Sequence, residues 1–427
     1  MEFNTSLDFA LQQDKNDSLK HFRDKFYFPQ HNGKNSIYFT GNSLGLQPKS
    51  TASYIQQELN DWAEFGVEGH FMAKNPWFAY HEMFAEPLSK IVGAKPTEVV
   101  AMNALTVNLH LLMASFYKPT SQRYKILCEA KAFPSDQYAL QSQAQLHGFN
   151  PEEALIEISP REGEKLIRLE DILFHIEQNA DSLALVMMGG VNYFTGQLFD
   201  METITKAAHG VGAKAGFDLA HAAGNVKLAL HNWKVDFACW CSYKYLNSGP
   251  GGVSGIFVHE KHTQNKDTFR LSGWWGQNKN TRFLMEKEFD PIPTAESWQM
   301  SNAPVLSMAA HKASLDIFEE AGIENLISKS KKLSAYLIYL IQQLNTELNS
   351  KKFHLEIISP LNESERGCQV SIVAHGLGKN LFNKLTENGV IADWREPNVI
   401  RTAPVPLYNN FEDCWHFYSI LKKILNS

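Results

Sequence analysis

Between about residues 80 and 300, short apolar runs alternate with longer stretches of helical period. Val99-Val-Ala-Met102, Tyr124-Lys-Ile-Leu-Cys128, Leu183-Ala-Leu-Val-Met-Met188 and Ile256-Phe-Val258 read as buried strands. Strands separated by helices predict an α/β fold: a large domain with a mostly parallel sheet flanked by helices. After about residue 305 the pattern changes. A long helical region puts Leu333, Leu337, Leu340, Ile341 and Leu344 on one stripe, and the basic run Lys329 to Lys332 is expected to form its solvated edge. Gln369-Val-Ser-Ile-Val373 then alternates like a half-exposed strand, and Gly389-Val-Ile-Ala-Asp393 follows. This predicts a smaller α+β C-terminal domain. The expected division is an N-terminal arm over 1–60 packing on the small domain, a large domain over 61–305 and the small domain over 306–427.

The 427 residues, 44% of them hydrophobic, suffice for such a core. A net charge of -6 with dispersed Lys and Arg argues against a nucleic-acid-binding face. The N-terminus is acidic without a signal-like apolar core, and no stretch reaches the roughly 18 apolar residues of a membrane span. The expectation is a cytoplasmic protein. Five cysteines, Cys128, Cys239, Cys241, Cys368 and Cys414, sit mostly in apolar surroundings and read as buried thiols of a reducing compartment. No second pair joins Cys239 and Cys241 to make a metal site, and the two are expected on opposed faces of one strand.

The chemistry-bearing segment is Cys239-Trp-Cys-Ser-Tyr-Lys-Tyr245. An apolar approach delivers Lys244 to a glycine-rich loop, where a desolvated amine becomes nucleophilic and can do Schiff-base chemistry. Upstream, Lys214-Ala-Gly-Phe-Asp-Leu-Ala-His221 reads as a buried strand ending in Asp218, the edge at which α/β sheets bind ligands. A carboxylate there can keep a pyridine-ring nitrogen protonated, as pyridoxal 5'-phosphate requires. An isolated Asp would be a helix cap; the pairing with Lys244 favours the cofactor. Thr106, ahead of the apolar helix Val107 to Phe116, offers a hydroxyl and free N–H groups to a phosphate, or else a plain N-cap. Phe133 precedes Pro134 and can stack on an aromatic ring, or simply fill a core. The tract Gly249-Pro-Gly-Gly-Val-Ser-Gly255 matches no nucleotide loop and suits close approach of the backbone beside Lys244.

Five segments together carry a resemblance: Asn103-Ala-Leu-Thr-Val-Asn-Leu-His110, Glu129-Ala-Lys-Ala-Phe-Pro-Ser-Asp136, Gly216-Phe-Asp-Leu-Ala-His-Ala222, Ala238-Cys-Trp-Cys-Ser-Tyr-Lys-Tyr-Leu-Asn247 and Arg401-Thr-Ala-Pro-Val-Pro-Leu-Tyr408. In these the chain resembles the kynureninases, pyridoxal-phosphate enzymes of the aspartate-aminotransferase fold type (PLP-dependent transferase fold type I), from about residue 35 to the C-terminus. The resemblance implies that Leu105 and Thr106 bind phosphate and that Phe133 covers the ring. Pro134, Ser135 and Asp136 would line the cofactor site, with Asp218 and His221 on its other side. Tyr243, Trp274 and Asn302 would reach the phosphate, some of these contacts coming from the neighbouring subunit of a homodimer. One position departs: where the family usually carries a hydroxyl this chain has Gly189, leaving only a backbone contact.

The implied reaction is hydrolysis of L-kynurenine, or 3-hydroxy-L-kynurenine, to anthranilate or its 3-hydroxy form and L-alanine, in tryptophan breakdown or NAD synthesis. Lys244 and Asp218 would be catalytic, with Tyr243 moving a proton at the ketone. Arg401 would hold the substrate carboxylate, ahead of its competitors Arg395 and Arg282, and His70 and Asn302 would lie near the aryl ring. The rivals are a cysteine desulfurase or selenocysteine lyase with Cys368 as its thiol, an aminotransferase, and a catalytically silent binding module.

Overall fold

The computed structural model describes residues 2–348 and 353–426. Its centre is a seven-stranded sheet in the order Val99–Ala101, Gly255–Val258, Phe237–Trp240, Lys214–Asp218, Leu183–Gly189, Lys125–Glu129, Leu155–Ile158. Only Gly255–Val258 runs against its neighbours; the other pairings are parallel. The apolar runs explain this arrangement, because helices cover both faces and Leu183–Met188 is buried at every position.

Register then places the site. Gly189 lies opposite Asp218, and Asp218 opposite Cys239, across three adjacent parallel strands. Glu129 closes the next strand but one from Asp218. The carboxyl ends of these strands therefore share one edge, where open α/β sheets hold ligands.

The second lobe is a four-stranded antiparallel sheet in the order His354–Ile357, Val370–His375, Val399–Thr402, Asp393–Arg395. Helices Ile323–Leu348, Gly378–Glu387 and Phe411–Asn426 contribute the apolar core against it. The N-terminal helix Leu7–Asn16 docks here too: Asp14 accepts the N–H groups of Phe411 and Glu412 at 2.8 and 2.9 Å, capping the C-terminal helix. Helix Val305–Ala321, by contrast, packs into the core of the large lobe through Met308, Ala309 and Leu315.

Two local expectations fail. Lys329 is buried rather than solvated, with its ammonium 2.7 Å from Asp17. The helix begins at Ile323, so Lys329 lies more than a turn inside it, beneath the N-terminal arm that supplies the counter-charge, whereas Lys332 is exposed as expected. Cys239 and Cys241 do not flank one strand, because the strand ends at Trp240 and Cys241 already belongs to the following loop.

Candidate active site

Lys244 stands four residues past the end of strand Phe237–Trp240, in a loop closed by bonds from Asn247 N–H to the Lys244 carbonyl and from Ser248 N–H to Ser242. Gly45 of the N-terminal segment lies on that loop, donating to the Tyr243 carbonyl at 2.8 Å. A side chain at Gly45 would collide with the Lys244 carbonyl and Asn247, so only glycine allows this approach. The Lys244 side chain is buried, and its Nζ is 3.0 Å from His221 Nε2 and 5.6 Å from the centre of the Phe133 ring. Burial, reinforced by the charges of Lys244, Arg401 and Arg395, holds the His221 imidazole well below its usual range, so it stays neutral. Lys244 Nζ and His221 Nε2 share this hydrogen bond, and His221 Nδ1 is buried without a partner.

Three carboxyls line the same cleft without a paired cation: Asp218, Asp136 and Glu129. Burial raises all three, and the neighbouring Asp218 carboxylate pushes Asp136 further up. Asp218 caps no helix; it accepts the N–H of Ala220 at 2.7 Å, a turn that fixes its carboxylate at the sheet edge. Asp136 keeps one oxygen buried and unpartnered. Glu129, which sequence reasoning passed over as a site residue, accepts from Gly189 N–H at 3.0 Å and from the Asn192 amide at 2.7 Å. A Cβ at position 189 would come within 2.6 Å of Glu129 Oε1, so the glycine makes room for this carboxylate.

Leu105 and Thr106 form the first turn of helix Leu105–Phe116, whose N-cap is Ala104 with no side-chain cap. Thr106 is therefore inside the helix, and its hydroxyl meets that of Ser135 at 2.7 Å. Ser135 lies in the first turn of helix Pro134–Leu146, which Pro134 opens and Phe133 caps. Two helix N-termini and two hydroxyls thus face one cleft of about 560 Å³, counted with its mouth. The Tyr243 phenol also lines it; burial first, then Cys241, raises its pKa, keeping it a neutral proton donor.

The cleft therefore gathers Leu105, Thr106, Phe133, Ser135, Asp136, Gly189, Asp218, His221, Tyr243 and Lys244. It adds Tyr193, whose ring meets Phe133 edge-on at 5.4 Å, a residue that carries no sequence signal beyond its neighbour Thr195-Gly-Gln197. Arg401 reaches the same wall from the small lobe: it is 1% exposed, donates to the Tyr193 carbonyl at 2.6 Å and pairs with Asp393, leaving Nε unpartnered. Arg395 shares Asp393 at 3.2 Å, whereas Arg282 is spent on the carbonyls of Trp275 and Gln277. Within one chain His70, Trp274 and Asn302 are not brought to Lys244. His70 and Asn302 border a separate hollow with Trp62 and Trp77, and the half-exposed Trp274 donates its indole N–H to Arg282.

The architecture is shared with known proteins. The cysteine desulfurase of Thermococcus onnurineus NA1 superposes with a TM-score of 0.72 at 18% identity, over 92% of this chain and 95% of that one. A variant of C-DES with glycine covalently linked to its PLP cofactor superposes with a TM-score of 0.74 at 16% identity, over 91% and 96%. These define the fold class, an α/β large lobe with a smaller second lobe. The kynureninase of Flavobacterium psychrophilum is 60% identical over 99% of both chains, and residues 326–421 match the family described as Kynureninase C-terminal domain. The chain belongs to the kynureninase family.

Proposed function

We propose that this protein hydrolyses L-kynurenine, or its 3-hydroxy form, to anthranilate, or its 3-hydroxy form, and L-alanine, with pyridoxal 5'-phosphate in the Lys244 cleft. The observation that carries the reading is the buried Lys244 side chain against neutral His221, in a cleft shared with three buried carboxyls that make no ion-pair contact among the described residues. The cleft suits the cofactor: His221 Nδ1 and one Asp136 oxygen are buried without partners, and a cationic ring nitrogen would add to the Lys244 charge against the Asp218 carboxylate, which burial otherwise disfavours.

When bound, the cofactor supplies an electron sink for charge left at the substrate Cα. The Lys244 amine holds the cofactor aldehyde and afterwards carries the Cα proton. Asp218 would keep a proton at the ring nitrogen, and Phe133 and His221, which line the cleft, would hold the ring. Thr106, Ser135 and the N–H groups of their two helices receive the phosphate. Tyr243, held neutral, gives a proton at the side-chain ketone as water adds there. Arg401 would hold the substrate carboxylate, its Nε being the guanidinium nitrogen not engaged by Tyr193 or Asp393.

The desulfurase alternative needs an accessible thiolate. Cys368 is fully buried, and burial pushes its thiol up to about 12. We further propose a homodimer. His70, Trp274 and Asn302 stand away from their own Lys244, near the exposed apolar side chains of Trp62, Phe71 and Phe283, and a second copy would bring them to its partner's cleft. The arm, large-domain and small-domain division is proposed with boundaries near 60 and, since helix Val305–Ala321 packs into the large-lobe core, near 322 rather than 305. No helix among the described residues is long and apolar enough to cross a membrane. The five buried free thiols support a cytoplasmic setting.

The test is direct. The cofactor-loaded protein should release fluorescent anthranilate and alanine in equal amounts from L-kynurenine, and borohydride reduction should fix the cofactor on the peptide holding Lys244. Sulfide release from cysteine at a comparable rate, or a label on Lys214 or Lys227, would overturn the reading.

A further inference from the structure

The turn Asn192–Thr195 joins the large lobe to the small one with an unusual concentration of bonds. Three successive carbonyls on it accept from small-lobe side chains. Tyr193 O takes Arg401 at 2.6 Å and Gln369 at 3.0 Å; Phe194 O takes Ser371 at 2.6 Å; Thr195 O takes Ser359 at 2.5 Å. The small lobe thus reads the position of this turn directly.

Beside the backbone bonds Asn192 N–H to Gln197 O and Gly196 N–H to Asn192 O, one side chain braces the turn from within. Asn192 Oδ1 accepts from Phe194 N–H, Thr195 N–H and the Thr195 hydroxyl, at 2.9 to 3.0 Å. Its amide group donates in the other direction, to Glu129 Oε2 at 2.7 Å. Glu129 is fixed at the end of its strand and also takes the Gly189 N–H. A continuous chain of bonds therefore runs from the floor of the cleft through Glu129, Asn192 and the Tyr193 carbonyl to the Arg401 guanidinium. Each Asn192 bond uses the amide's dual nature, acceptor on one side and donor on the other.

We propose that Asn192, anchored on Glu129, is a positioning residue that sets where Arg401 stands over the cleft and hence how tightly an α-amino-acid carboxylate is held. The proposal rests on the assignment of Arg401 to the substrate carboxylate. Asn192 touches neither the substrate nor the cofactor in this scheme; it acts through the turn.

The chemistry gives a diagnostic set of variants. Asn192→Asp keeps every acceptor bond to the turn but sets a carboxylate against Glu129, where the donor is lost and like charges meet. Glu129→Gln in that background restores a donor, since the Gln amide can donate to the introduced carboxylate as Asn192 now donates to Glu129. Asn192→Ser is the second single variant, neutral and smaller. Steady-state kinetics with L-kynurenine at saturating pyridoxal phosphate would be read beside cofactor titration of the Asn192 variants by visible absorbance. Arg401→Lys serves as the reference.

Losing one hydrogen bond to a charged group corresponds to roughly ten- to a hundredfold. We expect KM to rise about tenfold or more in Asn192→Asp, with kcat and the cofactor dissociation constant each moving by less than about threefold. The double variant should recover most of that KM. An unchanged KM in both Asn192→Asp and Asn192→Ser, with KM raised in Arg401→Lys, would overturn the positioning role alone. A double variant no better than Asn192→Asp would overturn the Glu129 anchor. An unchanged KM in Arg401→Lys would remove the carboxylate assignment underneath, and the proposal with it.

Discussion

Asp218 and Asp236 are buried aspartates on neighbouring strands of one sheet, and the protein treats them in opposite ways. Asp218 closes strand Lys214–Asp218 at the carboxyl edge, whereas Asp236 immediately precedes strand Phe237–Trp240 at the amino edge. Around Asp236 every need is met. His209 and His262 approach at 2.7 and 2.6 Å, Lys261 at 2.9 Å, and the Ala215 N–H donates at 2.9 Å. Burial alone would raise this carboxyl; the two histidine bonds and the charges of Lys261 and Lys214 win and hold it far below the usual range. Asp218 has one N–H, a second carboxyl, Asp136, and the more distant charge of Lys244, and burial wins. One end of the sheet is satisfied as it folds. The other keeps unspent electrostatic demand for something that binds, which is where functional sites and stability part company.

The contrast can be broken most forcefully at the satisfied end. Asp236→Ala leaves a ring of cations and imidazoles around nothing, and removal of one partner from a buried charge cluster costs about 3–5 kcal/mol. Chemical denaturation should show that loss, while turnover per folded molecule stays near that of the parent. Turnover falling in step with stability would mean that the two ends are coupled.

At the functional end the pattern should invert. Asp218→Asn should fold and take up cofactor but lose turnover by about 10²- to 10³-fold, the cost of deleting one preorganised electrostatic partner, measured as anthranilate release under cofactor saturation. Near-parent turnover would reduce Asp218 to a turn-forming residue.

The smallest effect sharpens the comparison in the cofactor-free protein. The Asp136 carboxyl is raised in the folded state by burial and by Asp218. A raised carboxyl contributes stability that is complete below its unfolded value near 3.8 and is lost as pH rises through the folded value. At neutral pH the charge is a cost, so Asp136→Asn should stabilise the cofactor-free protein by about 0.5–2 kcal/mol. The gain should vanish toward pH 4. Asp236 should tilt the other way, its depressed carboxyl giving stability above the usual carboxylate range that is lost as the pH falls. Thermal melts of both variants across pH would show two opposite slopes, and parallel slopes would contradict the account.

Much of this was legible along the chain. The apolar runs at 99–102, 124–128, 183–188 and 256–258 are strands of the sheet because continuous burial leaves a local signature. Asp218 and Lys244 announced themselves for the same reason, as chemistry-bearing groups at or within a few residues of the ends of such runs. The family motifs carried most of the cleft-lining residues, since segments at strand ends are contiguous in sequence.

What the chain alone could not disclose are the pairings between distant segments. Lys329 looks like any surface lysine until Asp17, more than three hundred positions earlier, is folded against it. Glu129 reads as the edge of a motif, and only the approach of Gly189 and Asn192 makes it an anchor within the cleft. Asp236 resembles Asp218 in its apolar setting, yet His209, His262 and Lys261 arrive from other elements to neutralise it. A local pattern reports whether a residue is buried, because burial follows the period of its own strand or helix. Whether a buried charge is satisfied depends on which remote groups the tertiary structure delivers, and that decides between a structural carboxylate and a chemical one.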